Sequence, residues 1–293
     1  MKTELQGRVA VVTGAGGGLG RTHALELARL GAKVLVNDIN LAAANAVAGE
    51  IAAGGGDAFG FAASVTDESS TAAMVEQAVQ RWGSVDILIN NAGILRDRSF
   101  AKMTLSEFRD VVDVHLMGSV ICTKAVWEQM REQRHGRIVM TTSSSGLFGN
   151  FGQANYGAAK MALVGLMQTL AIEGEKYNIK VNCLAPTAAT AMTDGLLSEE
   201  ETARLAPEYV SVGLLALVGD DAPTRAILCA GAGHFARSNI TLTQGFHAGS
   251  GRDAAQRVAG AWDAISDRSD ELVPASGLLQ RERELASGMR NQA

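Results

Sequence analysis

Strand-like and helix-like segments alternate along most of this 293-residue chain, and the alternation restricts the folds it can adopt. Short apolar runs predict strands at 8–13, 33–38, 58–62, 85–90, 137–142, 179–184, 226–230 and 240–243. Helical periodicity predicts helices between them, at 18–30, 40–53, 67–82, 104–132 and 155–176. Strands joined by helices form parallel sheets with helices on both faces. The sequence therefore predicts an α/β fold, a doubly wound parallel sheet in a single domain.

The first predicted strand leads into a glycine-rich turn and then into an amphipathic helix. The turn reads Thr13-Gly-Ala-Gly-Gly-Gly-Leu-Gly20. Glycines let the backbone approach a ligand closely, and a helix N-terminus presents free N–H groups to a pyrophosphate. A tight turn without a ligand would look similar, so the turn alone is weak evidence for a nucleotide site.

The second predicted strand ends in a carboxylate, Asp38. It follows the glycine turn by about twenty residues, the position at which an acceptor for the ribose hydroxyls of a dinucleotide is expected. A negative charge there would repel the additional phosphate of NADP, so we expect NAD as the cofactor. Taken alone, Asp38 is equally compatible with a cap of the following helix.

Tyr156 and Lys160 stand four positions apart at the start of a long apolar-periodic segment. On a helix these two residues share one face, one turn apart. A phenol titrates near ~10 and is a poor base at neutral pH, but a nearby positive charge lowers its pKa. The pair is therefore a candidate for general acid–base catalysis. An isolated pair at this spacing is more often two surface residues, because the pattern is short.

The remaining motifs are a short apolar strand that runs into Asn90-Asn-Ala-Gly93 and a hydroxyl-rich run, Thr141 to Ser145. Ligands bind at the ends of strands in open parallel sheets. Together with the glycine turn, Asp38, Tyr156 and Lys160, these motifs resemble the short-chain dehydrogenase/reductase family over roughly residues 5–245. The resemblance implies a Rossmann fold over residues 1–245 that binds NAD and oxidises or reduces a small-molecule substrate.

The resemblance also implies roles for particular residues. Ser143 holds the substrate oxygen, Tyr156 transfers its proton, and Lys160 lowers the tyrosine pKa and binds the nicotinamide ribose. The residues expected to bind the cofactor are Gly14, Gly18, Leu19, Gly20, Asp38, Ser64, Val65, Asn91, Ala92, Gly93, Tyr156, Lys160, Pro186 and Thr190.

Three positions depart from the family pattern. Where most members place an asparagine, this chain has His115, which either replaces it in the proton path or packs against the sheet with its nitrogens bonded to backbone. The acidic residue expected after the third strand is Ser64, so the adenine contact is weaker or is made by the backbone of Val65. The hydroxyl that holds the nicotinamide amide falls to Thr190 or Thr187.

Four segments are similar to one branch of the family, the (3R)-hydroxyacyl-CoA dehydrogenase domain of peroxisomal multifunctional enzyme type 2 with its bacterial single-domain relatives. They are 94–100, 114–118, 149–156 and 170–174. This resemblance implies a (3R)-3-hydroxyacyl-CoA substrate, with a 17β-type hydroxysteroid as the alternative. Arg96 and Arg98 are candidates to bind CoA phosphates, or are surface charges. A non-catalytic NAD-binding regulator is a more distant alternative, since a fold does not fix a function.

Residues 187–212 interrupt the alternation, and the resemblance implies a mobile lid over the substrate. The expected substrate contacts are Ser143, Phe151, Gln153, Met192 and Leu196. The segment 246–293 carries Val258, Ala261, Trp262 and Ile265 at helical spacing, which predicts a helical extension at a subunit interface of a homodimer or homotetramer, or a partly disordered end.

The composition agrees with an intracellular enzyme. A net charge of −5, mixed in sign, does not favour a nucleic-acid partner. Cys122, Cys183 and Cys229 lie far apart without metal-ligand spacing, so we expect small buried apolar side chains in a reducing compartment and no metal. The first strand begins too early for a signal peptide, and no apolar run has the length of a membrane span. These features predict a cytoplasmic location.

Overall fold

An eight-stranded sheet organises the first part of the protein in the computed structural model, which describes residues 5–190 and 198–290, with side chains up to 287. The strands are β1 (Val9–Val12), β2 (Lys33–Asp38), β3 (Ala58–Ala62), β4 (Ile87–Asn90), β5 (Gly136–Thr141), β6 (Ile179–Pro186), β7 (Ile227–Gly231) and β8 (His234–Ser238). Their order is β3-β2-β1-β4-β5-β6-β7-β8. Strands β1 to β7 pair in parallel. Only two residues join β7 to β8, which permits an antiparallel hairpin but no crossover.

Helices lie between the strands as the alternation predicts. They are α1 (Gly18–Arg29), α2 (Leu41–Ala53), α3 (Glu68–Trp82), α4 (Leu105–Val112), α5 (Gly118–Gln133), α6 (Ser144–Phe148), α7 (Ala154–Gly174), α8 (Glu199–Arg204) and α9 (Pro207–Val218). A π-helical segment, Asp113–Met117, joins α4 to α5, and a 3-10 turn, Glu175–Tyr177, follows α7.

Alternate side chains of the inner strands enter two separate apolar cores, one on each face of the sheet. In β2, Val34 and Val36 lie in the core that includes α1, α2 and α9, whereas Leu35 lies in the core that includes α3, α5 and α7. Both cores contain fully buried side chains, so the sheet is covered on both faces. The predicted doubly wound α/β fold is therefore confirmed. Cys122 and Cys183 are buried as predicted, and Cys229 is half-buried.

Two predicted elements differ from the structure. The strand predicted at 240–243 is wrong: the eighth strand is His234–Ser238, and Leu242 forms only an isolated bridge with Leu272. The side chains of β8 are mostly exposed, so that strand lacks the apolar signal that sequence reasoning relies on. The single helix predicted at 104–132 is interrupted by the π-helical segment at 113–117.

The chain divides into two compact units between residues 237 and 238. The described part of the second unit contains α10 (Ala254–Gly260), α11 (Trp262–Ile265) and α12 (Gly277–Arg290). Paired backbone hydrogen bonds of 2.8 and 3.0 Å between Leu242 and Leu272 hold it together. Its predicted place at a subunit interface stays a prediction. In the part of the chain that is described, no helix is both long and apolar enough to span a membrane.

Candidate active site

The carboxyl ends of the parallel strands open onto a cavity of about 530 Å³. Every residue predicted to bind the cofactor lines it, and so does His115. Sequence reasoning missed other lining residues, which are Gly17, Asn37, Ile39, Ala63, Ile94, Val114 and Thr141. Ile39 is 80% exposed although it is large and apolar, so it offers one wall of the cavity to a flat apolar group. The signal available in the sequence was a large apolar residue directly after Asp38.

The glycine turn brings the backbone of β1 against the end of β4. Gly14 has a positive φ of 60°, and a Cβ on it would lie 2.7 Å from the Cα of Ala92. A Cβ on Gly20 would collide with the carbonyl oxygen of Gly14. Only glycine fits at these two positions. Gly17, the N-cap of α1, has no side chain that could cap the helix, so the N-terminal N–H groups of α1 are available to a phosphate.

Hydrogen bonds between Thr13 and Asn91 fix the turn to β4. The Thr13 hydroxyl accepts from the amides of Asn91 and Ala92 at 3.0 and 3.1 Å. The Asn91 side chain donates to the carbonyl oxygens of Thr13 and Gly14 at 2.9 and 3.0 Å. Asn91 therefore shapes the cavity mainly by holding the glycine turn in place.

The Asp38 carboxylate ties the end of β2 to the glycine turn. Its Oδ2 accepts from the Gly16 amide at 3.0 Å, and its Oδ1 accepts from the Asn40 amide at 3.0 Å. Asn40 caps α2 by accepting from Ala42 and Ala43, so Asp38 itself is not the cap. Two backbone bonds leave part of the acceptor capacity of a carboxylate unused. The residue can therefore still accept hydrogen bonds from ribose hydroxyls in the cavity.

Lys160 is buried beneath Tyr156, with 3% of its surface exposed. Its Nζ donates to the carbonyl oxygen of Thr141 at 2.5 Å and lies 5.4 Å from the centroid of the Tyr156 ring. Burial lowers the pKa of Lys160 to about 7. The lysine is thus poised to gain or lose its charge near neutral pH.

The pKa of the Tyr156 phenol is raised, not lowered as the sequence suggested. Burial is the main cause, because the ionised phenol is poorly solvated there. Hydrogen bonding with the Ser143 hydroxyl opposes the shift. Ser143 is nearly buried and accepts from the Ser145 amide at 3.2 Å as the N-cap of α6. The structure therefore brings Ser143, Tyr156 and Lys160 together, as predicted.

His115 lies on the π-helical segment and is buried. Its Nε2 lies 2.8 Å from the carbonyl oxygen and 3.1 Å from the amide nitrogen of Ile94. The imidazole meets the Tyr156 ring edge-on, with centroids 5.2 Å apart and planes at 89°. Burial lowers the pKa of His115 to about 3, so the ring is neutral. One ring nitrogen is thus bonded to backbone, as the packing alternative expects, while a place for His115 in the proton path stays a prediction.

Among the described residues, none of the predicted substrate contacts lines the cavity, although Ser143 lies beside Tyr156, which does. Phe151 is 89% exposed. Gln153 uses its side chain within the protein, donating to Asp97 at 2.6 Å and accepting from Asn150 at 3.1 Å. Met192 and Leu196, like Leu197, lie outside the described residues. The substrate roles of these residues stay predictions.

The geometry matches what comparison with known proteins shows. A family model described as short chain dehydrogenase matches residues 8–201. This match covers more than half of the chain and includes the glycine turn, Ser143, Tyr156 and Lys160.

The chain belongs to the short-chain dehydrogenase family.

Two relatives of this short-chain dehydrogenase differ in how much of their own length they share with it. A short-chain type dehydrogenase/reductase of Mycobacterium tuberculosis is 44% identical over 92% of this chain and 97% of its own. The peroxisomal hydratase-dehydrogenase-epimerase of Saccharomyces cerevisiae is 45% identical over 90% of this chain but only 30% of its own. The chain therefore spans about a third of that larger enzyme.

Two solved structures are similar to this dehydrogenase in fold. Full-length peroxisomal multifunctional enzyme type 2 from Drosophila melanogaster has a TM-score of 0.83 and 36% identity, covering 98% of this chain and 50% of that one. A 7α-hydroxysteroid dehydrogenase complexed with NADH and 7-oxo glycochenodeoxycholic acid has a TM-score of 0.74 and 31% identity, covering 79% of this chain and 96% of that one. The predicted kinship with the multifunctional-enzyme branch is confirmed.

Proposed function

We propose that this short-chain dehydrogenase transfers hydride reversibly between a secondary alcohol and NAD, and that its substrate is a (3R)-3-hydroxyacyl-CoA. The observation that carries the proposal is one cavity lined both by Asp38, at the end of β2, and by Tyr156 and Lys160, beside the end of β5, with β1 and β4 between these two strands. A dinucleotide needs such a combination, because its adenosine ribose and its reactive ring are far apart and each requires its own partners.

The residues of the cavity fit NAD. The free N–H groups at the start of α1 suit a pyrophosphate, and the Asp38 carboxylate suits two ribose hydroxyls but opposes a phosphate on that ribose. The exposed face of Ile39 suits the adenine ring. When bound, NAD supplies the nicotinamide that exchanges hydride with the carbinol carbon of the substrate.

Tyr156 handles the substrate proton in this mechanism. In alcohol oxidation the ionised phenol takes the hydroxyl proton, while the Ser143 hydroxyl donates a hydrogen bond to the oxygen that becomes a carbonyl. In ketone reduction the protonated phenol returns the proton. Because burial raises the pKa of Tyr156, oxidation depends on the charged Lys160 ammonium to favour the phenolate.

His115 supports this chemistry without carrying the proton. A neutral imidazole with a pKa of about 3 is a weak base, and its Nε2 is already engaged with Ile94. We assign His115 the task of holding the Tyr156 ring and the backbone after β4 in place. The close approach at Gly93, where a Cβ would collide with the imidazole, fits this task.

The substrate class rests on kinship. Matches to peroxisomal multifunctional enzymes favour the acyl-CoA thioester. Arg96 stands two residues after Ile94, which lines the cavity, and is a candidate to bind a CoA phosphate. The match to a hydroxysteroid dehydrogenase favours a steroid alcohol as the second candidate. A cytoplasmic location and a homodimer or homotetramer complete the proposal.

The test is NADH production by the purified protein. Matched panels of (3R)-hydroxyacyl-CoA thioesters and 17β-hydroxysteroids are assayed, each with NAD and with NADP. We expect turnover of the thioesters with NAD. Turnover of steroids alone would replace the substrate assignment, and NAD binding without turnover of either panel would favour the regulator.

A further inference from the structure

Asn155 is a completely buried amide that directly precedes Tyr156 in α7. Its Oδ1 accepts a hydrogen bond of 2.7 Å from the backbone N–H of Tyr156. Its Nδ2 donates to the carbonyl oxygen of Arg96 at 3.0 Å and to that of Glu107 at 3.4 Å. One side chain therefore contacts the start of α7, the segment after β4 and helix α4.

The start of α7 depends on this side chain. The N-cap residue, Gln153, makes no capping hydrogen bond with its side chain. The first N–H groups of any helix lack partners within the helix and need another acceptor. Asn155 supplies one from inside the first turn, and the N–H that it satisfies belongs to Tyr156.

The carbonyl of Arg96 belongs to the segment 94–98, which is itself held against the start of α7. The Arg98 amide donates to the carbonyl oxygen of Gly152 at 2.8 Å. The Gln153 amide group donates to Asp97 at 2.6 Å. Asn155 is the fully buried member of this set of contacts, so water does not compete for its hydrogen bonds.

We propose that Asn155 is the positioning residue for Tyr156, fixing the first turn of α7 to the segment 94–98 and to α4. This inference rests on the proposed function, because it assigns Asn155 to the residue that carries the substrate proton. Small displacements matter in such a site: a shift of about 1 Å in a reacting group can cost about 100-fold in rate.

The pKa of the Tyr156 phenol depends on the surroundings of the ring and therefore on its position. Lys160, His115, Ser143 and the Asp97 carboxylate face it, and burial keeps its pKa raised. If the first turn loosens, water reaches the phenol, and its pKa falls toward the ordinary value. A titration of Tyr156 can therefore detect a displacement of the ring without any substrate.

The chain contains a matched control, Asn182. It is also completely buried, and its Nδ2 donates to the carbonyl oxygens of Leu217 and Pro223 at 3.5 and 2.8 Å. Its Oδ1 accepts from the Ala226 amide at 3.0 Å. The two asparagines thus make the same kinds of bonds, but Asn182 makes them in β6, away from Tyr156.

The experiment compares Asn155→Ala with Asn182→Ala in the full chain. We measure Tm, kcat and KM for NAD, and we titrate Tyr156 by its ultraviolet absorbance as the difference from Tyr156→Phe. We expect both variants to lose Tm, but only Asn155→Ala to lose kcat, by about 10- to 100-fold, with KM for NAD within about threefold. Only in Asn155→Ala does the Tyr156 titration move to lower pH.

If Asn155→Ala does not fold, Asn155→Asp replaces it in the same experiment. It is isosteric and keeps the acceptor for the Tyr156 amide, but it loses both donors. We expect a lower kcat at the high-pH plateau, where an added charge no longer affects the ionised fraction of the phenol. An unchanged kcat and titration in the folded Asn155 variants, or equal kcat losses in Asn182→Ala, would overturn the proposal. If the wild type turns over no alcohol, the proposed function fails, and the Tyr156 titration still decides the role of Asn155.

Discussion

The Lys160 ammonium donates its 2.5 Å hydrogen bond to the backbone carbonyl of Thr141 at the end of β5. The strand therefore fixes the position of the lysine, and Tyr156 lies one turn earlier on the same helix, α7. Because the pKa of Lys160 is lowered to about 7, its charge changes within the pH range in which the enzyme is expected to work.

Tyr156→Phe removes the proton carrier while it keeps the ring that meets His115. We expect kcat to fall by about 100- to 10,000-fold, because proton transfer in the transition state is lost. The affinity for NAD, measured by fluorescence titration, should stay within about twofold of the wild type. Tyr177→Phe, a matched change outside the cavity, should leave kcat unchanged. A Tyr156→Phe enzyme with most of its activity would rule out this role.

Asp38→Ala should relax discrimination against NADP. The substitution removes the charge that opposes a ribose phosphate, so we expect the ratio of kcat/KM for NAD over NADP to fall at least about tenfold. Affinity for NAD should also weaken, because the bond from Gly16 to the carboxylate is lost. Asp57→Ala, which removes a carboxylate bonded to Arg81 and Trp82, is the control. An unchanged ratio would count against the ribose contact.

Lys160→Met should make the folded protein more stable near neutral pH while lowering turnover. The pKa of Lys160 is about 7 in the folded state and 10.5 ordinarily, so the unfolded chain holds a proton that the folded chain releases between these values. Stability therefore rises with pH across this window, by about 1.4 kcal/mol per unit at most, and the full cost of burying the charge is present below pH 7.

Urea unfolding at pH 7, 8 and 9 measures this effect. The wild type should gain stability with pH relative to Lys160→Met, whereas the exposed Lys102→Met variant should follow the wild type. Parallel pH profiles for Lys160→Met and the wild type would show that Lys160 has the same protonation state in the folded and the unfolded chain, which would contradict the prediction.

His23 should make the protein sensitive to acid. It is buried in α1, its Nδ1 lies 2.7 Å from the Ser211 hydroxyl, and burial lowers its pKa from 6.5 to about 3. The unfolded chain therefore binds a proton that the folded chain excludes, and stability falls as pH drops from 6.5 toward 3. His23→Asn keeps an amide near the Nδ1 position, so its Tm should fall less steeply between pH 6.5 and 4. The exposed His234→Asn variant should match the wild-type slope.

Arg137 should be irreplaceable by lysine. It is fully buried at the start of β5 and donates to the carbonyl oxygens of Gly136, Asn178, Gly219 and Asp220. A lysine has one compact ammonium and cannot reproduce this fork. We expect Arg137→Lys to lose about 3 kcal/mol of unfolding free energy, since buried carbonyls are left without donors. Arg204→Lys, at an exposed position, should change stability by less than about 0.5 kcal/mol.

Motifs with fixed spacing allowed the sheet and the cavity wall to be predicted from sequence. Gly14, Asp38 and Tyr156 act through their own side chains or through the lack of one, so their identities carry the information. The continuous apolar run of β2 likewise predicted a strand, because its side chains are buried on both faces of the sheet.

The sequence did not show which backbone groups act as hydrogen-bond partners or how far each side chain is exposed to solvent. Every residue has a carbonyl, so nothing marked Thr141 as the acceptor for Lys160, or Ile94 as the partner of His115. The direction of the Tyr156 pKa was wrong because the sequence revealed the nearby lysine but not the degree of burial, which dominates. The strand β8 was missed because its side chains are mostly exposed.

The π-helical segment at 113–117 implies that the site is sensitive to insertions and deletions. Such a segment holds one residue more than the same length of α-helix. Deleting one residue there would restore regular α-helical winding with the flanking turns of α4 and α5 kept in register, so the side chains that change direction would be those of the segment itself, which carries His115. His115 would then turn away from Tyr156 even though no contacting residue had been substituted. In this part of the molecule, the number of residues determines the chemistry as much as their identity does.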